Sequence, residues 1–234
     1  MRTHRIAATA VAAASIALLG GTGQAFADNH TSAQASAPRA AAGAVSEPAA
    51  KLTVSGYLTY LKARQTLKAL PKAKQAKFVT YLLDRDIYLA LANTVKGSIG
   101  RPAHITDPYH EGVTFVTDIA TRTGKDKLRT TSLTFTVTER IYDIPVTSKT
   151  LALRFQAAKG GSKKVVADAK VTNVNAAIAI KGGPTATSLD HGIGHASTTW
   201  HAVPRVKSFG KHVAKRQKAW AGQGYWSASL SEGK

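Results

Sequence analysis

The sequence predicts an α+β protein in which an N-terminal helical hairpin precedes an antiparallel β-sandwich or a barrel-like sheet. Two observations support this fold class. Between residues 52 and 95, apolar residues recur every three to four positions, the period of an amphipathic helix. Beyond residue 102 the period changes to two, and glycine-containing turns separate short apolar runs, as expected for strands joined without intervening helices.

The helical hairpin is predicted over residues 51–98, with Pro71 between its two helices. Proline suits the first turn of the second helix, because its missing N–H would have no partner there. Gly97 is predicted to end that helix, since glycine is common just after a helix C-terminus. The predicted apolar stripe of the second helix consists of Val79, Leu83, Ile87 and Leu91.

A β-rich domain is predicted over residues 99–234, and an alternative is that it shares one core with the helices. Leu133, Phe135 and Val137 alternate with threonines, which is typical of a strand with one buried face. Further strands are predicted at residues 113–119, 151–155, 165–174 and 177–180, with less regular ones at 197–203 and 225–230.

The N-terminus has the features of an export signal. Residues 1–27 combine early arginines, an apolar run and a small-residue cleavage site, Ala25-Phe26-Ala27. Residues 28–50 are rich in alanine, serine and proline, which predicts a disordered leader, and the sequence leaves open whether it is retained. No later apolar run approaches the roughly 18 residues of a membrane span. We therefore expect a secreted, extracellular protein without a transmembrane anchor, in solution or associated with the cell wall.

The composition of the first 50 residues resembles that of alanine-rich precursors exported by high-GC Gram-positive bacteria. This resemblance concerns composition and implies no activity. It does suggest which anionic partners surround the protein: wall teichoic acids, anionic lipid headgroups and released DNA.

Charge is the strongest functional signal, because 32 Lys+Arg residues against 13 Asp+Glu residues give a net charge of +19. Such an excess favours association with polyanions. The first predicted cluster shares one face of the second helix and consists of Lys77, Tyr81, Arg85 and Tyr88. The second lies between two tryptophans and consists of Arg205, Lys207, Lys211, Lys215, Arg216 and Lys218. Motifs for sequence-specific nucleic-acid recognition are missing from the sequence.

A histidine-containing segment is a second candidate site. Its possible metal ligands are Asp190, His191, His195 and His201. Imidazole and carboxylate are zinc ligands, but two glycines interrupt this segment and the His-Glu-x-x-His pattern is absent. The alternative is a glycine-rich turn with histidines facing solvent.

The absence of cysteine excludes disulfide scaffolds, zinc-thiolate sites and cysteine nucleophiles. Without a phosphate-binding loop, a dinucleotide fingerprint or a calcium loop in the sequence, no cofactor is predicted. The favoured hypothesis is a secreted, cationic, non-enzymatic protein that associates with anionic polymers of the envelope or its surroundings. The alternatives are a metal-dependent hydrolase that uses the His191 and His195 segment, and an antibacterial or inhibitor-type effector.

Overall fold

The computed structural model describes residues 54–124, 130–158, 161–222 and 224–233, so the predicted signal peptide and leader lie outside the described residues. In this described part, three helices precede eleven strands. The helices are α1 (Val54–Ala69), α2 (Lys72–Leu83) and α3 (Arg85–Ala90). The strands are β1 (Asn93–Ser98), β2 (Ala103–His110), β3 (Val113–Thr123), β4 (Thr130–Ile141), β5 (Ile144–Ala158), β6 (Gly161–Asn173), β7 (Ile178–Gly182), β8 (Ala186–Asp190), β9 (Ile193–Pro204), β10 (Val213–Gly222) and β11 (Tyr225–Glu232).

The strands form two antiparallel sheets. Sheet A has the order β1-β11-β10-β9-β7, and β8 also pairs with β9. Sheet B has the order β2-β3-β4-β5-β6. Strands β9 and β10 of sheet A lie against strands β4 to β6 of sheet B, and the apolar side chains between them form the core. The prediction of an antiparallel β structure is therefore confirmed.

The helical prediction is confirmed only in part. The second helix ends at Leu83, and Asp84 begins α3 by accepting a hydrogen bond from the backbone N–H of Asp86 at 2.9 Å. The prediction for Gly97 was wrong, because this residue lies in strand β1 rather than after a helix. Phe78 on α2 and Ile87 on α3 nevertheless belong to the same apolar cluster as both sheets. Within the described residues, no helix has the length and hydropathy of a membrane-spanning helix.

Two buried tryptophans account for the requirement for glycine at two positions of sheet A. Gly97 is opposite Trp226, and Gly182 is opposite Trp200, in neighbouring antiparallel strands. A Cβ atom at Gly97 would overlap the Trp226 ring, and one at Gly182 would approach the Trp200 ring to 2.9 Å. Each glycine therefore leaves space for an indole ring, a known arrangement of aromatic residues across from strand glycines. Sequence periodicity does not reveal this pairing because it depends on register.

Alternation of buried and exposed residues decides which side chains face the core. In β9 the burial pattern alternates over most of the strand, and in β10 Lys215, Gln217 and Ala219 are buried while Arg216 and Lys218 are exposed. Since side chains of a strand point to opposite faces in turn, the two faces of sheet A differ in chemistry.

Candidate polyanion-binding face

The outer face of sheet A carries the best candidate site, and we refer to it as the cationic face. Its centre is the outward side of β10, where Arg216, Lys218 and Trp220 follow one another at every second position. Strand geometry separates such positions by roughly 6.6 Å. Arg216 and Lys218 are exposed, and neither forms an ion pair with an acid in the described part of the chain.

Hydroxyl-bearing residues surround these cations. In the antiparallel register, Lys218 is opposite Ser197 of β9 and Ser229 of β11, and Arg216 is opposite Thr199 and Ser231. Directly opposite residues in an antiparallel pair point to the same side of the sheet. The cationic face therefore presents guanidinium, ammonium and hydroxyl groups on neighbouring strands, all of which donate hydrogen bonds to anionic oxygens.

Aromatic rings border the cations at one end of the cationic face. Trp220 lies between His195, at 6.4 Å between ring centroids, and Tyr225, at 5.5 Å with an edge-to-face orientation. Tyr225 is 43% exposed. Lys96 of β1 is also exposed. It lies on the same face of the sheet as Trp220, because Ser227 of β11 is opposite both residues. Aromatic side chains next to cations are the groups that hold bases or sugar rings beside an anionic backbone.

A shallow groove of about 510 Å³ crosses this face between β8 and β10. Its polar lining comprises Thr187, Ser188, Asp190, His195, Ser197, Arg216 and Lys218, with Trp220 at its side. Among the described residues of the lining Asp190 is the single acid, and its Oδ1 lies 2.5 Å from Nδ1 of the adjacent His191. The groove thus offers more cationic than anionic groups to a ligand.

The structure divides the second predicted cluster. Arg216 and Lys218 lie on the cationic face, whereas Arg205, Lys207 and Lys211 are exposed in the segment that connects β9 to β10. Lys215 is fully buried, and its Nζ donates a hydrogen bond of 2.5 Å to the backbone carbonyl of Leu89. Its inclusion in an exposed cluster was wrong, because strand alternation points it inward, while the next residue, Arg216, points outward.

The first predicted cluster does not share one helix face. Lys77 and Tyr81 lie on α2, but the break at Asp84 places Arg85 and Tyr88 on α3. Lys77 Nζ is 3.0 Å from Glu111 Oε2, an exposed ion pair that raises the pKa of Lys77 and lowers that of Glu111.

Tyr88 is 1% exposed. Its ring contacts the Phe209 ring at 6.2 Å and receives the ammonium of Lys149 at 4.5 Å from its centroid. Tyr88 therefore belongs to the interior rather than to a binding surface, since a buried ring cannot stack on a polymer.

The four predicted metal ligands are not brought together as one set, although Asp190 contacts His191 and lines the same groove as His195. His191 and Gly192 form a two-residue turn between β8 and β9, with φ values of 45° and 80°. His195 and His201 are six residues apart on β9, a separation of roughly 20 Å in a strand. His201 Nδ1 instead lies 3.2 Å from His212 Nε2. Among the described residues, no group of three or more potential metal ligands occurs.

A histidine on the outer face of sheet B has neighbours that resemble a catalytic relay. His104 Nδ1 lies 2.6 Å from Asp118 Oδ1, and its Nε2 lies 3.4 Å from the Thr106 hydroxyl. This order of groups is that of a nucleophile, base and orienting acid. However, the His104 and Asp118 side chains are 66% and 52% exposed, so water competes for every one of these contacts. The geometry is that of a solvated surface pair, and we assign it no reaction.

Sequence reasoning missed a polar cluster inside the protein. Glu139 of β4 and Lys149 of β5 are buried, and the Glu139 carboxylate accepts a 3.0 Å hydrogen bond from the Thr147 hydroxyl. Burial raises the pKa of Glu139 despite the opposing effects of Lys149 and Thr147. Burial also lowers the pKa of Lys149 to about 8 and raises the pKa of Tyr88. The sequence did contain a signal for this cluster, because Glu139 and Lys149 occupy the inward-facing positions in the alternation of β4 and β5.

Comparison of the chain with protein-family models, curated proteins and solved structures finds no match.

Proposed function

We propose that this protein is a secreted, cationic, non-enzymatic protein that binds anionic polymers of the cell envelope or its surroundings through the cationic face of sheet A. The observation that carries this proposal is the row formed by Arg216, Lys218 and Trp220 on one exposed strand face. Two cations without ion-pair partners in the described residues, next to an aromatic ring, favour a ligand that carries repeated negative charge.

The spread of hydrogen-bond donors over three strands of this surface favours a polymer over a small molecule. Hydroxyl groups on β9 and β11 lie on both sides of the cations, so donors extend across several strands rather than converging on one point. Binding of this type depends strongly on salt, because each neutralised phosphate releases condensed counterions. Teichoic acids, anionic lipid headgroups and DNA all supply such charges.

The test is co-sedimentation of the purified protein with Gram-positive cell walls, before and after extraction of their teichoic acids, at about 50 and about 200 mM salt. We expect binding to intact walls, weaker binding at the higher salt, and loss of binding after extraction. Parallel measurements with DNA and with vesicles of anionic lipid identify which of the three anionic ligands the protein binds. If the protein binds none of the three at the lower salt, the proposal is wrong.

Two matched double variants distinguish the effect of the cationic face on binding from the effect of net charge. Arg216→Glu with Lys218→Glu should weaken binding at least tenfold and reduce the salt slope by about one per removed contact. Arg154→Glu with Lys164→Glu makes the same change in net charge on exposed positions of sheet B. If the two double variants lose equal affinity, the cationic face is not the binding site.

A further inference from the structure

A depression on the outer face of sheet B has the features of a second, smaller anion site. It lies where the β4–β5 ladder is interrupted: Glu139 is opposite Thr147 and Arg140 is opposite Pro145, so Val146 has no partner across the ladder. Such a β-bulge redirects side chains and ends regular pairing. Pro145 lacks a backbone N–H, which leaves the ladder further open at this point. The resulting depression has a volume of about 260 Å³.

Three hydroxyl groups lie in one row across the floor of this depression. Thr138 of β4 is opposite Ser148 of β5, which is opposite Thr172 of β6. The Thr138 and Ser148 hydroxyl oxygens are 3.1 Å apart, so one of them donates to the other. The remaining hydroxyl protons are free to rotate toward a ligand.

Arg140 provides the charge at the same place. Its Nε is inaccessible to solvent and has no hydrogen-bond partner, and Arg140 forms no ion pair with any acid among the described residues. This buried Nε–H is unfavourable, because it has lost its water without gaining an acceptor. None of the described residues that line the depression is Asp or Glu, so this part of the chain supplies no anion there.

We propose that this depression binds a phosphoryl group, held by the Arg140 guanidinium and oriented by the Thr138, Ser148 and Thr172 hydroxyls. The planar fork of arginine matches two oxygens of a phosphate, and hydroxyl donors satisfy the others. The volume exceeds that of inorganic phosphate, which takes roughly the space of two to three waters, or about 60–90 Å³. The space that remains fits a small polyol or sugar, so the ligand class is a phosphate ester of such a molecule.

This site is independent of the proposed function, because it lies on sheet B and shares no residue with the cationic face. The test is a two-dimensional ¹H–¹⁵N NMR titration of the full-length chain at constant ionic strength. The probes are inorganic phosphate, glycerol 3-phosphate and sodium chloride. We expect saturable shifts of the Arg140 Nε–H signal and of the Val146–Ser148 backbone amides with both phosphates and none with chloride. If glycerol 3-phosphate binds more tightly than inorganic phosphate, the result supports a phosphate ester as the ligand. If the two bind with equal affinity, the site recognises the phosphoryl group alone.

Variants test whether the phosphate binds in this depression. Arg140→Gln should weaken phosphate binding at least tenfold, whereas Arg154→Gln, the same change at an exposed position of the same face, should alter it less than twofold. If Arg140→Gln does not fold, Ser148→Ala with Thr172→Val removes two donors and should weaken binding about threefold or more. Equal effects of the two arginine variants, full affinity in the hydroxyl variant, or shifts that fail to saturate would overturn the proposal.

Discussion

The two faces of strand β10 present similar residues in opposite environments. On the inner face Lys215 and Gln217 are fully buried, while on the outer face Arg216 and Lys218 are exposed. The inward lysine satisfies a backbone carbonyl near the end of α3, and the outward cations have no acidic partner among the described residues. The comparison shows that a cluster of positive charge in the sequence overstates the cationic surface, since part of that charge serves the interior.

Gln217 gives the inner face a further role. Its Oε1 accepts a 2.7 Å hydrogen bond from Trp200 Nε1, and its Nε2 donates to the backbone carbonyl of Phe135 in sheet B at 3.0 Å. One amide therefore joins an indole of sheet A to the backbone of sheet B. Disturbing this side of the strand should affect stability, and disturbing the other side should affect binding.

The largest effect is expected for Trp200, which is 1% exposed. Trp200→Ala removes the buried indole and should lower the free energy of unfolding by about 3–5 kcal/mol. Trp220→Ala on the outer face should lower it by less than about 1 kcal/mol, since that ring is only partly buried. Urea unfolding measures both values. Equal losses would mean that the two faces do not differ in their contribution to stability.

The pH dependence of stability should depend on Lys149. Its pKa is about 8 in the folded protein and 10.5 in an unperturbed lysine. Between these values the unfolded chain retains a proton that the folded chain has lost, so stability due to this group rises with pH. Lys149→Met should remove that rise, about 3 kcal/mol in all. Urea unfolding from pH 7 to pH 10.5 measures the difference between variant and parent.

Lys170→Met is the matched control, because Lys170 is exposed on the neighbouring strand β6. Its pH dependence should match that of the parent protein. A parallel pH dependence of the Lys149→Met variant and the parent would show that the pKa of Lys149 does not differ between the folded and the unfolded chain.

A smaller loss is expected from the hydrogen bond between the sheets. Gln217→Leu leaves Trp200 Nε1–H without its acceptor and should reduce the free energy of unfolding by about 1–3 kcal/mol. In a Trp200→Phe background this donor is absent, so the same substitution should cost less. A double-mutant cycle measured by urea unfolding gives the coupling. A coupling energy of zero would show that this hydrogen bond does not stabilise the protein.

The smallest effect on stability is expected on the cationic face. Arg216→Glu with Lys218→Glu should change the free energy of unfolding by less than about 0.5 kcal/mol, because neither side chain is buried or paired with a described acid. Circular dichroism during urea unfolding measures this. A loss above about 2 kcal/mol would show that these cations stabilise the fold, and the binding defect of this variant would then need a second explanation.

The candidate site was only partly predictable from the sequence. The charge excess and the neighbourhood of Trp220 indicated Arg216 and Lys218, but the same cluster included the buried Lys215. The helical spacing of the first cluster likewise selected Tyr88, which is buried. Contiguous basic residues do not show which of them face outward until the strand register is known. The depression on sheet B that we propose as a phosphoryl site had no sequence signal, because Thr138, Ser148 and Thr172 meet only through the pairing of three strands.

The sequence alone determined the local elements and the overall charge. Period-two alternation placed Leu133, Phe135 and Val137 on a buried strand face, because strand side chains alternate regardless of their partners. Tertiary structure decided what depends on distant pairing. It placed Gly97 across from Trp226 and turned a predicted helix end into an edge strand. It also buried Glu139 and Lys149 together, since only the packing of two sheets brings such residues into one interior.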